Sequence, residues 1–206
     1  MAERVGGRSP APTDSTIHGG DWVGDDISDA VHERVLFQDA DFSEATATGA
    51  QFVDCTFRSA HFDLARFTAS AFENCTFVRC SFFNAEFTDC KFLGSMFDGC
   101  EFPQLRVTGG NWSFVGLPGA DLQRAAFTGV KMREADLTGA RCTGGVLTGC
   151  DLSSAMWSRA NVQRCDLRGS TLDTLDPFTV ELRGAIVGWD QAIAIAANLG
   201  LDIRAD

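Results

Sequence analysis

Between Ile17 and Val187 every fifth residue is large and apolar, with few exceptions. This lattice holds 14 of the 17 phenylalanines, among them the unbroken run of fives from Phe52 to Phe102. Ile17, Trp22 and Ile27 extend it backwards; Leu117, Leu122, Met132, Leu137, Leu152, Trp157 and Val162 carry it forwards. A second lattice, of small residues, sits two positions earlier: Ala40, Ala45, Ala50, Cys55, Ala60, Ala65. Only Asp25 puts a charge on either lattice between Ser15 and Val187. The register never slips, so no insertion interrupts the repeat.

A period of five fits neither the roughly 3.6-residue turn of a helix nor the roughly 2-residue alternation of a strand. Within one pentad, though, residues spaced by two point the same way, as in a strand. The large and the small residue therefore both face an interior. The chain must bend two residues after the large one, and 13 of the 21 glycines fall there. Glycine accepts the positive φ that tight bends require. One bend per pentad with one inward face closes the chain into a coil, and four bends make a square. Residues 20 apart should then stack, with Phe57, Phe77 and Phe97 in one column and Phe62, Phe82 and Phe102 in the next. The expected fold is an all-β solenoid, a quadrilateral parallel β-helix over residues 15–187. Residues 1–14 are expected to be a disordered segment. Residues 188–206 are expected to form a capping and dimerisation helix with a short tail.

That helix is read from Trp189 to Leu199, where the pentad rule ends, with Asp190 as N-cap and Gly200 as stop. Ala192, Ile195, Ala196 and Leu199 make one apolar face, suited to covering the last coil. Trp189, Ile193 and Ala197 make another, which then lacks a partner. A two-fold homodimer through Trp189, Ile193, Ile195, Ala197 and Leu199 is the expectation. The alternative is a simple end cap folded under the tail.

Hydrophobic residues at 45% exclude a disordered chain. A net charge of −11 argues against direct binding to nucleic acid or to an anionic membrane. No stretch approaches the roughly 18 apolar residues of a membrane span. Met1 to Asp14 lacks the apolar run of a secretory signal. A cytoplasmic location with reduced thiols is expected. Seven of the eight cysteines occupy the small inward position, where they read as filler. Cys55 with Cys75, and Cys80 with Cys100, should stack as neighbours. His32 lies on the inward lattice and reads as a core residue. No nucleophile, phosphate-loop or metalloprotease motif is present, and the histidines do not accompany the cysteines at zinc spacing. No catalytic, cofactor or metal site is expected, and no enzymatic activity.

Function is left to the outward face. Residues 15–187 span roughly 41 Å at ~4.8 Å per coil. B-DNA of that length carries roughly 24 phosphate charges, and this body holds 23 Asp and Glu. Eleven of them lie just before the large residue. Asp21, Asp26, Asp41, Glu86, Glu101, Asp121 and Glu181 are the candidate DNA-mimicking surface. Five of these (Asp21, Asp41, Glu101, Asp121, Glu181) share one side of the square. The charge is uneven. Residues 15–100 hold 14 acids against 5 bases, net −9, whereas residues 101–187 hold 9 of each.

The pentads resemble the pentapeptide-repeat family. Ala71 to Cys100 (AFENC TFVRC SFFNA EFTDC KFLGS MFDGC) and Ala135 to Gly139 (ADLTG) are near-consensus stretches. The resemblance implies a right-handed β-helix. Val31 to Phe37 (VHERVLF), the Asp176-Pro177 step and Asp190 to Leu201 (DQAIAIAANLGL) further resemble the MfpA-type fluoroquinolone-resistance group. That resemblance implies a homodimer that mimics DNA, binds DNA gyrase and modulates supercoiling. Quinolone resistance or protection from a gyrase poison would follow. The departures are the neutral second half and the additional N-terminal segment. The alternative is a scaffold for another protein partner, with acidity serving solubility.

Overall fold

The structure, a computed structural model, describes residues 11–204. Most of the segment expected to be disordered lies outside the described residues. At its end, Asp14 already belongs to the coil: its N–H donates to the Arg34 carbonyl at 2.7 Å.

The chain forms a four-sided parallel β-helix closed by one helix. One side is a sheet of Ser15–His18, Val35–Gln38, Thr56–Arg58, Thr76–Val78 and Met96–Asp98. A second runs from Thr46–Thr48 through Arg66–Thr68, Glu86–Thr88, Arg106–Thr108 and Ala126–Thr128 to Val146–Thr148. A third joins Val31–Glu33, Gln51–Val53 and Ala71–Glu73. The fourth is held by single bridges, as in Asp21–Asp41 and Asp41–His61. The register is 20 residues throughout, as Phe57 opposite Phe77 shows. The fixed period produces this register, since any slip would turn the apolar lattice outward.

Inside, the large residues stack. Phe57–Phe77 centroids lie 4.8 Å apart at 5°, and Phe77–Phe97 lie 4.7 Å apart at 7°. The neighbouring column runs Phe62–Phe82 at 5.1 Å and Phe82–Phe102 at 5.5 Å. Adjacent columns meet edge to face, so the rings of these columns use both geometries that their quadrupoles favour. Each such burial contributes roughly 1.5–3 kcal/mol before ordering costs. His32 joins a column at 5.3 Å from Phe52, and its burial lowers its pKa, so it stays neutral. Trp112 ends another, 4.1 Å from Phe92.

The bends fall at the expected position. There, 13 glycines and 18 other residues take positive φ. Non-glycine residues accept this strain because the bend N–H bonds to the neighbouring coil, as Glu44 does to Asp63 at 2.7 Å. Among the described residues the cysteines form no disulfide, and they are more than filler. Thiols and hydroxyls at the small position bond between coils. Ser95 Oγ accepts from Cys75 N–H at 2.9 Å and donates to the Phe72 carbonyl at 2.7 Å. The Cys75 thiol reaches the Phe52 carbonyl at 3.3 Å. A bend that follows a strand lacks the internal bond of a tight turn, and these side chains replace it. Burial pushes the Cys90 thiol up to about 11 and that of Cys165 up to about 12, which suits structural rather than reactive sulfur.

The helix spans Trp189–Asn198. Its N-cap is Gly188, not Asp190, which stands in the first turn. The stop is as expected: Gly200 at φ +84° donates to Ala197 O, and Leu201 N–H donates to Ala196 O. The inward face differs from the expected apolar stripe. Gln191, Ile195 and Asn198 face the last coil, while Ala192 and Leu199 are exposed. The reason is that the open end of a β-helix presents unpaired backbone groups. Gln191 donates to the carbonyls of Leu167 and Ser170 and accepts from Gly188 and Gly169 N–H. Asn198 donates to the Leu175 carbonyl at 2.9 Å. Amides, more than apolar cover, complete this end.

Candidate interaction surface

The 20-residue register places Asp21, Asp41, Glu101, Asp121 and Glu181 on one side of the rod. The acids do not form an unbroken file, because His61 and Ser81 stand between Asp41 and Glu101. Where an aspartate stands one position before the large residue, it can cap the turn. Asp21, Asp26 and Asp41 accept the N–H groups of Val23, Ser28 and Ser43 at 2.9–3.1 Å. This fixes each carboxylate against the backbone with its charge toward solvent. The Ser28 hydroxyl and N–H hold the Asp26 pKa below its usual value.

The two halves of the rod treat their acids differently. Residues 21–44 hold 8 acids and one base, Arg34. Arg34 pairs with Asp14 at 2.7 Å and Glu33 at 3.2 Å. Among the described residues no ion pair joins Asp21, Asp25, Asp26, Asp29, Asp39, Asp41 or Glu44 to a cation. Further along, several carboxylates meet an arginine. Glu86 lies between Arg66 and Arg106, at 3.6 and 3.4 Å. Asp121 binds Arg141 at 2.8 Å, and Asp151 and Asp166 bind Arg133 and Arg168. Burial alone would raise the Asp121 pKa, but the bonds from Arg141 and Gln123 outweigh it and lower the value. Glu181 accepts from Asn161 and Gln163. Of the expected surface, Asp21, Asp26, Asp41, Glu101 and Glu181 thus keep carboxylates without an ion-pair partner among the described residues, and three of the five lie in the first coils.

At the far end Trp189 is 89% exposed and Ile193 50%. Ala197 and Leu199 are exposed with them, whereas Ile195 packs on the core and is withdrawn from that face. Sequence reasoning missed Phe178, 76% exposed, and Ile186, which enlarge this apolar end. Both lie one residue off the inward lattice, and that was the available signal.

One constellation has catalytic residue types. Asp63 accepts from the Ser81 hydroxyl and stands 3.9 Å from His61 Nδ1. The carboxylate holds the hydroxyl directly, and no imidazole lies between them to take its proton. Among the described residues no cluster of three metal-ligating side chains occurs, and no helix is long and apolar enough to cross a membrane.

Comparison with known proteins gives two matched stretches. Residues 25–102 match the family model of the SV2A/B/C luminal domain. Residues 113–144 and 135–173 match that of the pentapeptide repeats. No curated protein matches the chain. Among solved structures, a trypsin-treated variant of QnrB1, a plasmid-mediated fluoroquinolone resistance protein, is similar at 26% identity and TM-score 0.69. The match covers 94% of this chain and 97% of that one. Full-length QnrB1 is similar at 25% identity and TM-score 0.68, over 91% and 98% of the two chains.

Proposed function

Since this chain belongs to the pentapeptide-repeat family and matches a quinolone-resistance protein along nearly its whole length, we propose that it is a non-catalytic mimic of DNA. It binds DNA gyrase, competes with DNA and modulates supercoiling. Quinolone resistance, or protection of gyrase from a poison, is the consequence. It acts in the cytoplasm as a homodimer joined at the exposed apolar end around Trp189 and Ile193.

The observation that carries this reading is the set of seven carboxylates without an ion pair among the eight of residues 21–44, on a stiff rod. Fixed negative charge at one coil per ~4.8 Å attracts a basic groove shaped for phosphates. The partner docks on the first coils, and the neutral second half serves as a spacer toward the dimer axis. Supercoiling by purified gyrase in the presence of the protein tests this. Inhibition that weakens steeply with salt is expected. Asp21→Asn with Asp41→Asn should weaken it more than Asp121→Asn with Asp151→Asn. No inhibition, no complex with gyrase and no rescue from quinolone would sink the reading. Binding that ignores salt would favour a scaffold for another protein.

A further inference from the structure

The coils stack by a regular rule. Among the described residues it loosens at the last coil, where Leu152 and Trp157 N–H miss Thr171 O and Asp176 O, and in mid-rod it fails at one corner. Before the corner, Glu101 N–H donates to Cys80 O at 3.0 Å, Phe82 N–H to Glu101 O at 2.9 Å, and Asn84 N–H to Pro103 O at 2.8 Å. One coil on, the equivalent bonds would join Asp121 N–H to Cys100 O, Phe102 N–H to Asp121 O, and Gln104 N–H to Gln123 O. Among the described residues none of these forms. Gly99 N–H likewise misses Pro118 O, although Arg79 N–H reaches Asp98 O at 2.8 Å. The bridges on this side run from Asp21 to Glu101, stop, and resume from Asp121 to Glu181. The same rung is intact on the two other sides, where Arg106 pairs with Ala126 and Trp112 N–H reaches Lys131 O at 2.7 Å.

A cleft of about 670 Å³ lies at this corner. Phe97 and Phe102, the end members of two aromatic columns, line it, with Glu101, Asp121, Arg124 and Arg141. Pro103 and Pro118 stand on opposite walls, and neither has an N–H to contribute to a ladder. Asp121 is occupied by Arg141. Glu101 is exposed and has no ion pair among the described residues. The corner also falls where the net-acidic half of the chain ends, around the gap between the two matched family stretches, which end at residue 102 and begin at residue 113.

The backbone groups left over are unlike on the two walls. The wall of residues 99–104 offers the N–H groups of Gly99, Phe102 and Gln104 and the carbonyl of Cys100. The wall of residues 118–123 offers the carbonyls of Pro118, Asp121 and Gln123 and the N–H of Asp121. An anion would satisfy the first wall alone, and a cation the second alone. Extended polypeptide carries alternating donors and acceptors and answers both. We propose that this cleft binds an extended peptide segment of a partner protein by backbone pairing. A Lys or Arg side chain of the segment sits on Glu101, and an apolar one covers Phe102. This site is distinct from the acidic first coils and from the apolar end, and it does not depend on the gyrase reading.

Amide hydrogen exchange on the full chain, read residue by residue by NMR, tests this. In the free protein Gly99, Phe102, Gln104 and Asp121 should exchange much faster than Arg79, Phe82, Asn84 and Glu101, their equivalents one coil earlier. A capped peptide of alternating Val and Lys should protect those four amides selectively. The same peptide with N-methylated backbone should not protect them. Glu101→Gln should weaken binding about tenfold while leaving the fold intact. Slow exchange of the four amides in the free protein would overturn the proposal, because the rung would then be closed. So would unchanged fast exchange at saturating peptide, or equal protection by the N-methylated peptide. Protection that rises with protein concentration alone would assign the cleft to a second copy, and would overturn it too.

Discussion

Replacing Gln191 with leucine separates two accounts of how the helix closes the rod. Leucine has a similar volume and should improve apolar cover, but it cannot hydrogen-bond. Gln191 is only 8% exposed and makes four bonds to the last coil and the N-cap. The Leu167 carbonyl would keep a partner, since Ser170 N–H also donates to it at 3.1 Å. The Ser170 carbonyl and the N–H groups of Gly169 and Gly188 would be stripped. At ~1 kcal/mol each near an end that water can reach, about 3 kcal/mol is lost. Apolar burial of leucine returns about 1 kcal/mol. The net ~2 kcal/mol corresponds to a Tm lower by about 4–8 °C for a chain of this size. Calorimetry at fixed pH and protein concentration reads this, because self-association would otherwise shift Tm. Ala192→Ser, exposed on the same helix, is the control and should change stability by less than about 0.5 kcal/mol. A Gln191→Leu protein that melts at or above the parental temperature would refute the reasoning. Apolar cover would then be what the helix supplies.

Three other outcomes are expected. Phe77→Ala, in the middle of a column, should cost about 3–5 kcal/mol in denaturant unfolding, and a loss under 1 kcal/mol would contradict the packing described. Ser95→Ala strips Cys75 N–H and the Phe72 carbonyl together and should cost about 1–3 kcal/mol, although it deletes one oxygen. Asp151 is held below its usual pKa by the Ser153 hydroxyl and Arg133, and Asp166 by Arg168. A lowered folded pKa stabilises above the unfolded carboxylate range, and that stability is lost as pH falls through the folded value. Unfolding followed from neutral pH down to acid should therefore show a loss at the acid end that shrinks in Arg133→Met with Arg168→Met; an unchanged acid limb would contradict these pairings.

Trp112 and Trp157 run against the dryness of the interior. Their indole N–H groups are buried and have no acceptor. The lattice predicts a large apolar ring at both positions and cannot see the cost of the nitrogen.

Much of the fold could be read directly. The columns through Phe57 and Phe62 and the bends at positions such as Glu44 and Gly49 follow from spacing alone, and the stop at Gly200 follows from the residue type. The candidate surface was legible in part. Spacing placed Asp21, Asp41, Glu101, Asp121 and Glu181 on one side, but a count of acids weighs Asp121 and Asp41 equally. Whether an arginine one coil away reaches a carboxylate depends on side-chain geometry. Arg141 reaches Asp121, and no cation reaches Asp41.

The division has one physical origin. A pentad is a local rule, repeated in register, and burial of one large and one small residue per side admits a single stacking. The sequence by itself therefore determined the coil, its columns and its outward charge. The ends and the flaw in the ladder are not repeats. At the last coil the carbonyls of Ser170 and Leu175, which no backbone N–H among the described residues reaches, selected Gln191 and Asn198 for the inward face, against the apolar pattern of the helix. Between Glu101 and Asp121 the lattice continues without a missed beat, yet the hydrogen bonds do not. Only the tertiary structure decided these, because they depend on which backbone groups find a partner across coils, and apolar periodicity carries no record of that.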